Sequence, residues 1–143
     1  MIQYRICAVR ALHRGEGRKN VAEDWLDGLG NRRTEVAIEL RVLLSFLRQL
    51  PRDQWEMPMY RQTLQGYPKI GEIRFKLFGT QFRVFGFFGP SSGIYTLLGG
   101  ATEKKPRYNP ANAIDSADKM RERVLKGERA IEEFIVTVAE ETD

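Results

Sequence analysis

Gly71-Glu72-Ile73-Arg74-Phe75-Lys76-Leu77-Phe78-Gly79-Thr80-Gln81-Phe82-Arg83-Val84-Phe85-Gly86-Phe87-Phe88 is the stretch whose reading decides the fold. From Glu72 to Leu77 charged and apolar residues alternate at the strand period of two. That puts Arg74 and Lys76 on one face and Ile73, Phe75 and Leu77 on the other. Gly79-Thr80 predicts a two-residue type II′ turn, which sets Leu77 opposite Phe82 and Lys76 opposite Arg83. Like charges facing each other across a ladder are destabilising by roughly 0.2–1 kcal/mol. A hairpin that keeps such a pair either leaves it as a solvated outer face or uses it to hold an anion.

Downstream, Phe82–Phe88 is strongly β-prone, Gly89-Pro90-Ser91-Ser92-Gly93 reads as a turn and Ile94–Leu98 as a further strand, which completes a three-stranded meander. Gly99-Gly100 is expected to break that strand before the basic run Lys104-Lys105-Pro106-Arg107-Tyr108. Asn109-Pro110 offers an N-cap with proline in the first helical position, and Ile114, Ala117, Met120 and Val124 follow at helical spacing. After Gly127 the pattern resumes with Ile131, Phe134, Ile135 and Val138, which predicts a tail helix.

Upstream, Gln3–Val9 reads as a strand and His13–Asn20 as a loop. Val21, Trp25 and Leu29 predict a short helix ending at Gly30. A longer helix over Arg32–Leu50 carries the apolar stripe Val36, Leu40, Leu43, Leu44, Leu47 and Leu50 until Pro51 stops it. Arg52–Tyr67 has no clear period. Helices in one part and a meander in the other predict an α+β domain, with the apolar face of the hairpin over the long helix and its basic face open.

One domain is expected from 143 residues, with no internal disulfide because Cys7 is the single cysteine. The N-terminus lacks the apolar run of a signal peptide and no stretch has the length of a membrane span, so a cytoplasmic protein without a membrane partner is expected. Residues 52–108 carry nine Lys and Arg against four Asp and Glu, whereas residues 109–143 carry nine acidic residues against five basic ones. A basic sheet favours a polyanionic partner, nucleic acid first. One His, one Cys and no clustered carboxylates give little for a usual zinc site, and the want of histidine also removes nucleophilic triads. What remains is a cationic cleft of Arg74, Lys76, Arg83, Lys104, Lys105 and Arg107, edged by Phe85 and Tyr108. Guanidinium groups can grip a phosphate and an aromatic ring can stack a base. Phosphodiester cleavage here would need a lysine or tyrosine as general base. Phe85 and Phe87 could equally pack under the tail helix, and Tyr108 could only cap the third helix.

Tyr4–Val9, Trp25-Leu26-Asp27-Gly28-Leu29, Gly71–Lys76, Phe82–Phe88, Leu97–Gly100 and the lysine pair before Asn109-Pro110, with Ala113, Ala117 and Met120, resemble the RelE/HigB-type toxins, in particular the phage-derived branch close to HigB. The resemblance covers residues 2–126. It implies a RelE-like domain over residues 1–126: an antiparallel sheet, built from the N-terminal strand and the meander, packed against two N-terminal helices, with a C-terminal helix. Residues 127–143 would be a helical extension of the same domain that either completes the core or mediates dimerisation. It further implies the toxin of a toxin–antitoxin pair that enters the ribosomal A site and cuts mRNA, without metal or cofactor, by attack of the ribose 2′-hydroxyl on the adjacent phosphate. Its cognate antitoxin would be a helix-turn-helix protein. Arg83 and one of Lys104 or Lys105 would stabilise charge at the phosphate, Lys76 would be the base, and Arg74, Phe85, Arg107 and Tyr108 would bind RNA. Many relatives have His-Gly-Phe where this chain has Gly99-Gly100-Ala101. The rival expectation is a non-nuclease of the same fold, a ParE-like gyrase inhibitor or a phage protein that binds nucleic acid or a host factor.

Overall fold

In the computed structural model, which describes residues 2–12, 19–104 and 107–134, the chain runs β1 (Arg5–Val9), α1 (Val21–Asp27), α2 (Arg33–Leu47), β2 (Tyr60–Arg61), β3 (Gly71–Leu77), β4 (Thr80–Phe88), β5 (Ile94–Lys104), β6 (Arg107–Asn109), α3 (Ala113–Leu125) and β7 (Ile131–Glu133). The architecture is α+β, as expected. The sheet order is β2-β3-β4-β5-β1-β7, with β6 pairing the far half of β5. The sheet is mixed and not antiparallel, because β1 runs parallel to β5. After β1 the chain crosses a sheet face through α1 and α2 before entering the meander, and that crossover lets β1 and β5 point the same way.

The hairpin forms one residue away from its expected register. Its central residues are Phe78 and Gly79, both with positive φ (55° and 73°), which is the type I′ condition. Leu77 therefore faces Thr80, Lys76 faces Gln81 and Arg74 faces Arg83. The like-charge pair exists, but it is Arg74–Arg83.

Gly99-Gly100 does not end β5. The pair sits at an irregularity of the β4–β5 ladder between Phe85 and Gly86, with Gly99 at φ 143°. At Gly100 a Cβ would lie 2.4 Å from Trp25 Cδ2, so the glycines let the strand bend and pass directly under α1. The third helix begins three residues after Pro110, because Asn109 is taken by β6. The tail is a strand where its described residues allow comparison: Ile131–Glu133 pairs antiparallel with β1, and Phe134 N–H donates to Ile6 O at 2.8 Å. The unpaired backbone edge of β1 overrides the helical spacing of Ile131 and Phe134. Ile135 and Val138 lie outside the described residues, as do His13 and Lys105.

One sheet face packs on α1 and α2. Leu26, Val36, Leu40, Leu44 and Leu47 are buried there against Ile6, Ile73, Phe82, Val84 and Leu97. Each such side chain contributes about 1.5–3 kcal/mol. The aperiodic segment before the hairpin supplies Trp55 and Tyr60, both fully buried and in ring contact with each other, Tyr95 and Phe88. Asn20, 4% exposed, caps α1 by accepting from Glu23 N–H at 2.9 Å and donates to Glu132 at 2.9 Å, tying the helix start to the last strand. The other sheet face is not left open along its length: α3 covers part of it, burying Ala113, Ala117 and Val124 with Phe85, Phe87, Leu98 and Ala101.

Candidate functional site: a basic cleft at the edge of the sheet

The register sorts the charged side chains. Glu72, Arg74 and Lys76 of β3, Gln81, Arg83 and Phe85 of β4, and Glu103 of β5 share the α3 side of the sheet, and Tyr108 of β6 lies opposite Glu103. Glu72 is fully buried. Its Oε2 accepts from Arg74 Nη1 at 2.8 Å and lies 3.8 Å from Arg83 Nε and 4.0 Å from Arg61 Nε, while its Oε1 accepts from the Tyr108 hydroxyl at 3.0 Å. Arg83, 2% exposed, donates from Nε to Glu103 at 2.9 Å, from Nη1 to Phe82 O at 2.9 Å and from Nη2 to Gln81. The anion that answers the facing arginines is thus part of the chain. The two carboxylates fix both guanidinium groups in place and balance their charge, and only Arg61, 4.0 Å from Glu72, adds a third cation to the network.

The sequence-derived residues separate into three groups. Arg74, Arg83, Phe85 and Tyr108 come together around Glu72, with Lys76 next to Arg74 along the strand. Phe85 is fully buried, with the Tyr108 ring edge-on at 5.7 Å, so in this structure its ring faces the α3 core and presents no surface to a base. Lys104 and Arg107 face each other across the β5–β6 ladder. Strand alternation turns them away from the Arg83 side, whose neighbours are instead Glu103 and Tyr108. Lys105 lies outside the described residues.

Electrostatics narrows the roles further. Burial, then the Glu72 carboxylate, pushes the Tyr108 hydroxyl well above the ordinary tyrosine range. Its proton is held by Glu72, so Tyr108 is no general base near neutrality. Lys76 is exposed, and among the described residues its side chain has no hydrogen-bond or ion-pair partner.

Arg74, Lys76, Gln81 and Arg83 form one side of an open cleft of about 440 Å³ whose other lining is Glu39 and Leu43 of α2 with Pro58, Met59 and Phe75. The cleft sits where β2 stops covering the edge of β3, at the Arg74 N–H to Met59 O hydrogen bond of 2.8 Å. In the ion network behind the cleft, Glu72, Arg61, Gln81 and Glu103 are not among the residues that the sequence singles out. Glu72 carried a signal, an acid at period two from Arg74 and Lys76. Glu39 and Met59 carried none, since only the packing of α2 against the sheet edge brings them to the cleft.

Among the described residues no group of three or more His, Cys, Asp and Glu could hold a metal ion, and no helix is long and apolar enough to cross a membrane. Comparison with protein-family models, curated proteins and solved structures finds no match to this chain.

Proposed function

We propose that this chain is an RNA-binding toxin domain of the RelE/HigB kind that cleaves mRNA presented in the ribosomal A site. The observation that carries the reading is Lys76, exposed and without a side-chain partner, on the rim of a cleft beside two arginines already held in position by carboxylates. Preorganised charge costs no reorganisation when a phosphate arrives, which suits it to stabilise a developing oxyanion. Arg74 contacts the phosphate, and Arg83 supplies the buried charge behind it. In the proposed step the Lys76 side chain takes the proton of the ribose 2′-hydroxyl. The 2′-oxygen bonds to the adjacent phosphorus, the bond from phosphorus to the 5′-oxygen breaks, and that oxygen leaves with a proton from water. The products are a 2′,3′-cyclic phosphate and a 5′-hydroxyl. Lys104 and Arg107, exposed on the β5–β6 hairpin, bind the RNA backbone further along. The resemblance to these toxins supplies the antitoxin partner and the ribosome.

A second reading has its own support. Arg83 and Tyr108 are already engaged by Gln81, Glu103 and Glu72, an arrangement that suits a binder of nucleic acid or of a host factor as well as a nuclease. Sequencing RNA ends after brief induction separates the two. Cuts inside translated codons, absent with a folded Lys76→Ala variant, are the result expected of the nuclease. Intact mRNA with growth arrest establishes the binder, and cuts that persist undiminished in Lys76→Ala remove Lys76 from the chemistry.

A further inference from the structure

The cleft beside Lys76 is lined by unlike groups. Arg74, Lys76 and the buried Arg83 make part of its lining cationic, Leu43, Met59 and Phe75 make part of it apolar, and Glu39 of α2 is the acid among them. Among the described residues the Glu39 carboxylate has no hydrogen-bond or ion-pair partner. An acid without a partner in the same cleft as these cations would repel a bare polyanion. It therefore serves best a ligand that brings phosphate to the cations and hydrogen-bond donors to the carboxylate.

We propose that this cleft is a base-reading pocket that takes one unstacked guanine of a bound RNA, with Glu39 accepting from its Watson–Crick edge while Lys76 and Arg74 hold the flanking phosphate. The inference rests on the RNA-binding reading above. A volume of about 440 Å³ is in the range of small-molecule pockets. The apolar part of the lining gives a flat base a surface to cover. An ionised carboxylate is an acceptor only, with two oxygens side by side. Guanine presents two N–H donors, N1–H and an N2–H, side by side on one edge and so can bond both oxygens. Adenine, cytosine and uracil each offer that edge a single N–H direction next to an acceptor, which a carboxylate repels. Charge-assisted pairs of this kind are among the stronger hydrogen bonds, and RNA read in single strands is read on this edge.

The test is fluorescence anisotropy at low salt with labelled RNA pentanucleotides, either all uridine or with guanine at the centre, against the whole chain. The wild type is expected to prefer the guanine oligonucleotide by about ten-fold. Glu39→Gln, whose amide replaces one acceptor by a donor, is expected to reduce that ratio to about one. Lys76→Ala is expected to weaken both oligonucleotides and keep the ratio. Equal wild-type binding of the two oligonucleotides, or an unchanged ratio in a Glu39→Gln variant that melts like the wild type, overturns the pocket and leaves the RNA-binding reading standing. Failure of the wild type to bind either oligonucleotide overturns the pocket, and the RNA-end sequencing above decides the reading on which it rests.

Discussion

Glu72 is the residue on which the site turns. It stood in the sequence two positions from Arg74 and four from Lys76, on the face counted as basic, and its role became visible only when the register set Arg74 opposite Arg83 with Glu72 against both. Removing one member of a buried ion pair leaves the others uncompensated in a poorly solvated place. Glu72→Ala is therefore expected to cost about 3 kcal/mol, read as a lower urea midpoint by circular dichroism. The same cluster sets a pH dependence. Burial is the first cause that raises the Tyr108 hydroxyl, and also those of Tyr60 and Tyr95, which share a hydrogen bond of 3.0 Å. A group that holds its proton more tightly when folded contributes stability that is complete below its unfolded pKa, about 10 for tyrosine. That stability is lost as pH climbs from there toward the folded value. Stability should accordingly be insensitive to these three groups through neutrality and fall above about pH 10. In a spectrophotometric titration three of the five tyrosines should ionise late and together with unfolding.

At the scale of elements, the hairpin shows how local chemistry can misplace a turn by one residue. Gly79 marks the turn in the sequence, yet Phe78 shares the left-handed conformation with it, at φ 55° and 64% exposed. A bulky L-residue there costs about 1–2 kcal/mol, whereas asparagine adopts it readily. The ladder on either side outweighs that cost, because this register stacks Phe75 on Phe82 at 5.5 Å inside the core and brings the arginines to Glu72. Phe78→Asn is expected to stabilise the chain by about 1 kcal/mol without shifting the register, measured by chemical denaturation. Helices α1 and α2 were legible because 3.6-residue periodicity carries their burial directly. Gly99-Gly100 was not, since a glycine pair can end a strand or let it bend beneath a neighbour, and Trp25, which decides between these, lies far away in sequence.

Across the whole molecule, the described C-terminal residues close the sheet. Ile131–Glu133 covers the edge of β1, and Phe134, 3% exposed, enters the same core as α1 and α2. Phe134→Ala is expected to destabilise the chain by about 3–5 kcal/mol. Hydrogen exchange should locate the loss first along β1 and β7, and protection unchanged there would show that the tail is dispensable. The sequence by itself determined the α+β class, the amphipathic helices, the meander and the basic character of its strands, because these follow from short-range periodicity, turn residues and charge counts. Only the tertiary structure decided that the sheet is mixed, that the tail is a strand, that Arg83 is buried on Glu103 and Gln81, and that Glu39 lines a cleft with Lys76. Those outcomes depend on backbone edges seeking partners and buried charges seeking counter-charges across long sequence separations, and neither leaves a local pattern to read.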